Sequence, residues 1–151
     1  AAEAGHVDIM EKLLIAGASV EAVSQEGFTP LEAALAMGHF EAVKILFARR
    51  TERSKPVILN YAVTRGHDLI LEWLLQQGAD PNSKSQAGRT ALMTSVIHDK
   101  AGALERLLRN GARVNERSPE GYTALHFAAI HGNLLMVMLL LEAGADMNSR
   151  S

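Results

Sequence analysis

The sequence predicts an all-α solenoid, a row of stacked helix–loop–helix units that share one continuous core. Three observations carry that prediction. The segments LLQQGADPN from Leu74, LLRNGARVN from Leu107 and LLLEAGADMN from Leu139 put Gly-Ala pairs at 78–79, 111–112 and 144–145, a period of 33 residues. A second marker keeps the same step: GRTAL begins at Gly88 and GYTAL at Gly121, with a similar GFTPL at Gly27. The triplets AGH, MGH, RGH and HGN precede successive apolar stretches. Self-similarity at a fixed period of this length marks a repeat architecture, because one such unit cannot bury its own apolar face.

Each unit reads as turn, helix, short loop, helix, loop. In the stretch 27–38, Gly27 suits a turn that needs a positive φ. Thr29 is a good N-cap, its hydroxyl able to accept an orphan backbone N–H. Pro30 fits the first helical position, where a missing N–H costs nothing. Leu31, Ala34 and Leu35 have helical spacing, and Gly38 ends the helix. Phe40, Val43, Ile45, Leu46 and Phe47 form the apolar face of the next one. Gly17, Gly78, Gly111 and Gly144 stop the second helices in the same manner.

The totals narrow the function. With 151 residues, 48% apolar and 21% charged, the chain has the composition of one globular domain. A net charge of −2 provides no general attraction to nucleic acid or an anionic membrane. There is no cysteine, hence no disulfide and no thiol chemistry. The eight apolar residues Leu134–Leu141 fall far short of the roughly 20 that span a bilayer. The opening AAEAGHVDIMEKLL lacks the basic leader of a signal peptide. No H-E-x-x-H, P-loop, G-x-G-x-x-G or G-x-S-x-G motif occurs. His6, His39 and His67 each follow a Gly at one place in successive units, too far apart to share an ion. The expectation is therefore a chain without catalysis, cofactor, metal, small-molecule substrate, nucleic acid or membrane.

The motifs Gly27-x-Thr29-Pro30-Leu31 and Gly121-x-Thr123-x-Leu125-His126-x-Ala128-Ala129, with the Leu-Leu-x-x-Gly-Ala segments, resemble the ankyrin repeat family over the whole chain. That resemblance implies an all-α ankyrin-repeat solenoid with short β-hairpin fingers. The array divides into units 1–23 (partial), 24–55, 56–84, 85–117 and 118–150. Ser24, Ser85, Ser118 and Ser151 begin equivalent places, so the chain reads as a piece of a longer array. One departure stands out. Gly38 and Gly66 are 28 residues apart, and RRTERSKP stands where the turn before Pro56 belongs. A truncated finger is expected there. The basic residues Arg49, Arg50, Arg53 and Lys55 in it are interrupted by Glu52 and have no aromatic neighbour, so they read as a solvated loop.

The resemblance also implies a non-catalytic module that binds a protein partner on a rigid concave platform, within a larger intracellular protein of the cytoplasm or nucleus. The alternative is an intramolecular scaffold docking on another domain of its own chain. A monomeric array is expected. Partners of such arrays contact finger tips and the exposed edge of the inner helices. The tip residues are Phe28, Arg89 and Tyr122; the helix-end residues are Met37, Arg65, His98 and His131, with Ala36, Thr64, Ile97 and Ile130 one place earlier. Aromatic, Met and Arg residues with few acids have the composition of an interface core. Leu135 and Met138 match Asp8 and Glu11 in the first unit and Glu41 and Lys44 in the second, and so form an outer apolar patch. His126 is expected to tie neighbouring turns. Asn82 and Asn148 are expected to brace their loops. They are also candidates for the hydroxylation known in the family, having Leu74 and Asp80, and Leu140 and Asp146, at the favoured offsets.

Overall fold

The computed structural model describes residues 1–2, 6–25, 27–49 and 58–149. Among them are nine helices: α1 (Val7–Ile15), α2 (Pro30–Met37), α3 (Phe40–Ala48), α4 (Ile58–Arg65), α5 (Asp68–Gln76), α6 (Ala91–Ile97), α7 (Ala101–Arg109), α8 (Ala124–Ile130) and α9 (Leu134–Glu142). The even-numbered helices α2, α4, α6 and α8 pack side by side as an inner row. Each leads through a short loop into an odd-numbered partner, and α3, α5, α7 and α9 form the outer row behind them, with α1 against α3.

The helix starts follow from the threonines. Thr29 and Glu32 form a reciprocal capping box: Glu32 N donates to Thr29 Oγ1 at 3.3 Å and Thr29 N donates to Glu32 Oε2 at 2.8 Å. Thr90 Oγ1 accepts from Met93 N at 3.3 Å. At Thr123 the N–H donates to Nδ1 of His126 at 3.2 Å, so among the described residues this histidine closes its own turn. The outer helices α5, α7 and α9 are followed by glycines with positive φ, and the residue after each glycine donates to a carbonyl five back: Ala79 to Leu74, Ala112 to Leu107, Ala145 to Leu140.

Between the rows lies a continuous core. Leu35, Leu59 and Leu92 come from the inner helices; Leu46, Leu71, Leu74, Leu104, Leu107, Met136 and Leu140 come from the outer ones. Each such side chain, fully buried, contributes about 1.5–3 kcal/mol. Trp73 of α5 stands between Phe40 and Phe47 of α3 in edge-to-face contacts of 5.9 and 5.1 Å. The outer row is also stapled by Arg106 of α7, which reaches Asp68 at 3.2 Å and Glu72 at 3.5 Å on α5.

The expected β-hairpin fingers are sparsely paired. Among the described residues the strand pairing is one antiparallel bridge, Lys84 to Thr90. What repeats instead is a serine-closed turn. Ser24, Ser85 and Ser118 each donate their N–H to the carbonyl of Phe28, Arg89 and Tyr122, at 2.9, 2.8 and 2.8 Å. Each serine Oγ accepts the N–H coming back from that same residue. The serine hydroxyl thus satisfies a backbone donor that a longer hairpin ladder would have used. Neighbouring fingers stack closely: a Cβ on Gly88, whose φ is +69°, would lie 2.4 Å from Pro119 Cγ. The expected truncated finger, with Arg50, Arg53 and Lys55, lies outside the described residues; Arg49 is exposed directly after α3.

Candidate functional site

The serine turns fix where the tip residues point, and all three tips are half-buried against the following unit or their own helix. Phe28 meets Tyr61 of α4 edge-to-face at 6.3 Å. Arg89 lies over the Phe127 ring at 5.3 Å and approaches Glu120 at 3.7 Å. Tyr122 packs on Phe127 at 5.8 Å and on His126 at 5.6 Å. Part of each side chain is therefore spent on holding the array together.

The residues at the ends of the inner helices are more open. Met37, Arg65, His98, Ile130 and His131 are all exposed, while Ile97 is half-buried. The Nδ1 of His131 sits 2.7 Å from Phe127 O and must carry the proton there. Ile130 is 65% exposed, an apolar side chain with nothing over it among the described residues.

Three of these residues meet in one cleft of about 420 Å³ between α4, α6 and the finger 85–89. Arg65, Arg89 and His98 line it, joined by Asn60, Tyr61 and Ile97. Asn60 and Tyr61 were not legible as site residues by repeat position, since Glu32 and Ala33 hold those places in the preceding unit. A signal for Asn60 existed: it is an amide at a place that Met93 fills in the next unit. The sequence puts Val57 where other units have Thr29, Thr90 and Thr123, so no threonine cap stands at that place for Asn60. Its Oδ1 instead accepts from the Thr94 hydroxyl on α6, and its Nδ2 is buried without a partner among the described residues. Burial pushes the Tyr61 phenol above its ordinary value; Glu32 adds to that and Arg65 opposes it. Phe28, Met37, Tyr122, Ile130 and His131 lie outside this cleft.

The remaining candidates are distributed elsewhere. Leu135 and Met138 stand on α9, 57% and 52% exposed, with Leu134 also open beside them. Asn82 Nδ2 donates to Gly111 O at 3.3 Å, and its Oδ1 accepts from Arg113 N at 2.7 Å. Asn115 repeats this toward Gly144 O and Asp146 N. Asn148 has no matching side-chain pair among the described residues; its N–H donates to Asp146 Oδ1 at 2.9 Å. His67 packs so closely under Gly38 that a Cβ there would meet its ring at 2.6 Å. No helix among the described residues is long and apolar enough to cross a membrane.

A family model described as ankyrin repeats (3 copies) matches residues 59–151, and one described as ankyrin repeats (many copies) matches residues 1–47. Ankyrin repeat and SOCS box protein 3 of Bos taurus is 34% identical over 102 residues, 61% of this chain and 19% of that protein. Ankyrin repeat, SAM and basic leucine zipper domain-containing protein 1 of Nomascus leucogenys is 35% identical over 98 residues, 59% of this chain and 21% of that protein. Potassium channel AKT1 of Oryza sativa subsp. indica is 51% identical over 37 residues, 24% of this chain and 4% of the channel. The chain spans about a fifth of the length of the first two relatives.

Proposed function

The chain belongs to the ankyrin repeat family, and from that premise we propose that its inner-helix face is a rigid, non-catalytic docking platform for a protein partner. Ankyrin repeats in general mediate protein–protein interaction. The observation that carries the reading here is the convergence of the finger residue Arg89 with the helix-end residues Arg65 and His98 on one cleft, beside the open Ile130 and His131. Aromatic and arginine anchors on a pre-formed surface are what a binding hot spot uses, and little ordering is left to be done on association. The platform acts as a monomeric part of a larger intracellular protein, in the cytoplasm or nucleus. A photo-crosslinking residue at position 98 or 130 should capture a partner that the same residue at Arg109, on the outer row, does not. Equal capture from both faces would count against the concave site. With the partner in hand, Tyr122→Ala should weaken binding at least about tenfold, a loss of about 1.4 kcal/mol.

A second reading has its own support. Leu134, Leu135 and Met138 expose an apolar face on the outer row, and the relatives' names join ankyrin repeats to SOCS box, SAM and leucine zipper segments. An array docked on another domain of its own chain would cover such a face. A partner bound by the isolated array and refused by the parent chain would favour this arrangement; equal binding by both would oppose it.

A further inference from the structure

We propose that the cleft between α4, α6 and the finger 85–89 receives an acidic side chain, Asp or Glu, from an extended segment of a protein partner. The proposal rests on the docking role above and names what the cleft selects.

Its charge is one-sided. Arg65, Arg89 and His98 line it, and no Asp or Glu does among the described residues. Arg65 has no ion-pair partner among those residues. The arginines of α7 contrast with it: Arg106 is held by Asp68 and Glu72, and Arg109 by Glu105 at 2.6 Å. Arg89 is fixed from behind by Glu120 and the Phe127 ring, so its guanidinium is set before any ligand arrives. A carboxylate is the natural complement, because hydrogen bonds from a guanidinium to a carboxylate are short and about twice as strong as neutral ones.

The cleft also contains polar groups that folding leaves unused. Asn60 is 6% exposed, and among the described residues its Nδ2 has no partner. The Nε of Arg89 is likewise buried without one. Native proteins pair nearly all such atoms, since an unmade hydrogen bond costs about 1–3 kcal/mol. Both belong to residues that line the same cleft. A side chain that enters and accepts from these groups recovers that cost. The Tyr61 ring and Ile97 supply apolar wall for the methylenes of Asp or Glu and for the adjoining peptide.

The test uses the whole chain and a phage-displayed library of random 12-residue peptides. Enriched sequences should share an acid at one fixed position. Synthetic copies should lose at least tenfold in affinity when that acid becomes Gln. Arg65→Glu, at an exposed site where circular dichroism should show an intact fold, should lose the Glu peptide and take up its Lys counterpart. Four results would overturn the proposal and leave the docking reading standing or falling separately. Peptides without an acid, bound by Arg65→Glu as well as by the parent but lost on His131→Ala or Tyr122→Ala, would refute the acid subsite and keep the concave platform. Peptides indifferent to every concave substitution would remove both. A library with nothing enriched would refute the subsite, as would a 12-nucleotide single strand that binds more tightly than the acidic peptide and is lost with Arg65→Glu.

Discussion

The side chain of Asn82 bonds to the backbone of Arg113, 31 residues away, its Oδ1 accepting the Arg113 N–H at 2.7 Å. Nδ2 completes the link by donating to Gly111 O. One asparagine thereby satisfies a donor and an acceptor just past the end of the next outer helix, where backbone groups run out of helical partners. Asn115 does the same for Gly144 and Asp146. These bonds are the polar counterpart of the leucine core, and they bind unit to unit at the base of the fingers.

Asn115→Ala should therefore cost about 1–2 kcal/mol, two bonds at about 0.5–1.5 kcal/mol net each, less some repayment by water at an exposed site. Urea unfolding followed by circular dichroism measures it. Asn148→Ala, without the inter-unit pair, should stay within about 0.5 kcal/mol. Equal losses at both positions would mean that the loops are braced mainly from within.

Asp99 supplies a second test. It sits at φ +53°, the left-handed region, where Gly38, Gly66 and Gly132 stand in the other units. Its carboxylate holds Asn133 Nδ2 at 2.6 Å, linking the loop between α6 and α7 to the loop before α9. Asp99→Gly gives up that exposed bond but relieves the backbone, so stability should hardly change. Asp99→Ala loses the bond and keeps the strain, which for an L-residue is about 1–2 kcal/mol. Alanine should fall below glycine by about 1 kcal/mol, as read from paired melting curves. A glycine variant that falls below the parent by as much as alanine does would show that the Asn133 link, and not the backbone, governs this position.

Much of this array was written in the period of the sequence, and the reason is physical. Gly78, Gly111 and Gly144 are glycines because helices must stop there, and Thr29, Thr90 and Thr123 are threonines because helices must start there. Backbone demands of that sort recur with the unit and are visible in one dimension. Leu135 and Met138 could be placed outside by the same logic, against Asp8 and Glu11. The cleft could not. Asn60, Arg65, Arg89 and His98 come from three segments, and what makes them one place is a hydrogen bond from Thr94 to Asn60 and the anchoring of Arg89 on Phe127. Such pairings depend on side-chain direction, which a repeat pattern averages away. The fingers carry less strand pairing among the described residues than the family pattern implied. The family pattern implied hairpins, whereas serine at 24, 85 and 118 closes each turn on itself.

Ser118 also bears on the titration of Glu120. Its hydroxyl donates to Glu120 and is the largest influence holding that carboxyl below its ordinary value; the backbone N–H of Glu120 and then Arg89 add to it. A carboxyl lowered in the folded state contributes stability above its unfolded pKa and loses it as pH falls through the folded value. Ser118→Ala should raise the Glu120 midpoint, measured by carbon NMR, toward the usual carboxylate range. Arg89→Ala should raise it less. If the arginine substitution proves the larger, the ion pair at 3.7 Å and not the hydroxyl controls this finger.

The outer face of α9 offers the sharpest contrast between adjacent residues. Leu135 and Met138 are more than half exposed, whereas Met136 between them is fully buried. Three-residue spacing puts Leu135 and Met138 on one side of the helix. Replacing both with Glu removes exposed apolar surface and buries no charge, so each change should cost no more than about 0.5 kcal/mol and solubility should rise. Met136→Glu forces an unpaired carboxylate into the core beside Leu140. It should cost at least about 3 kcal/mol or unfold α9, because a charge in that position has neither water nor a partner. Guanidinium unfolding of the three variants decides the matter. A double Glu variant that falls as far as Met136→Glu would show that Leu135 and Met138 are covered in solution, and would move the search for a docking surface from the inner row to this one.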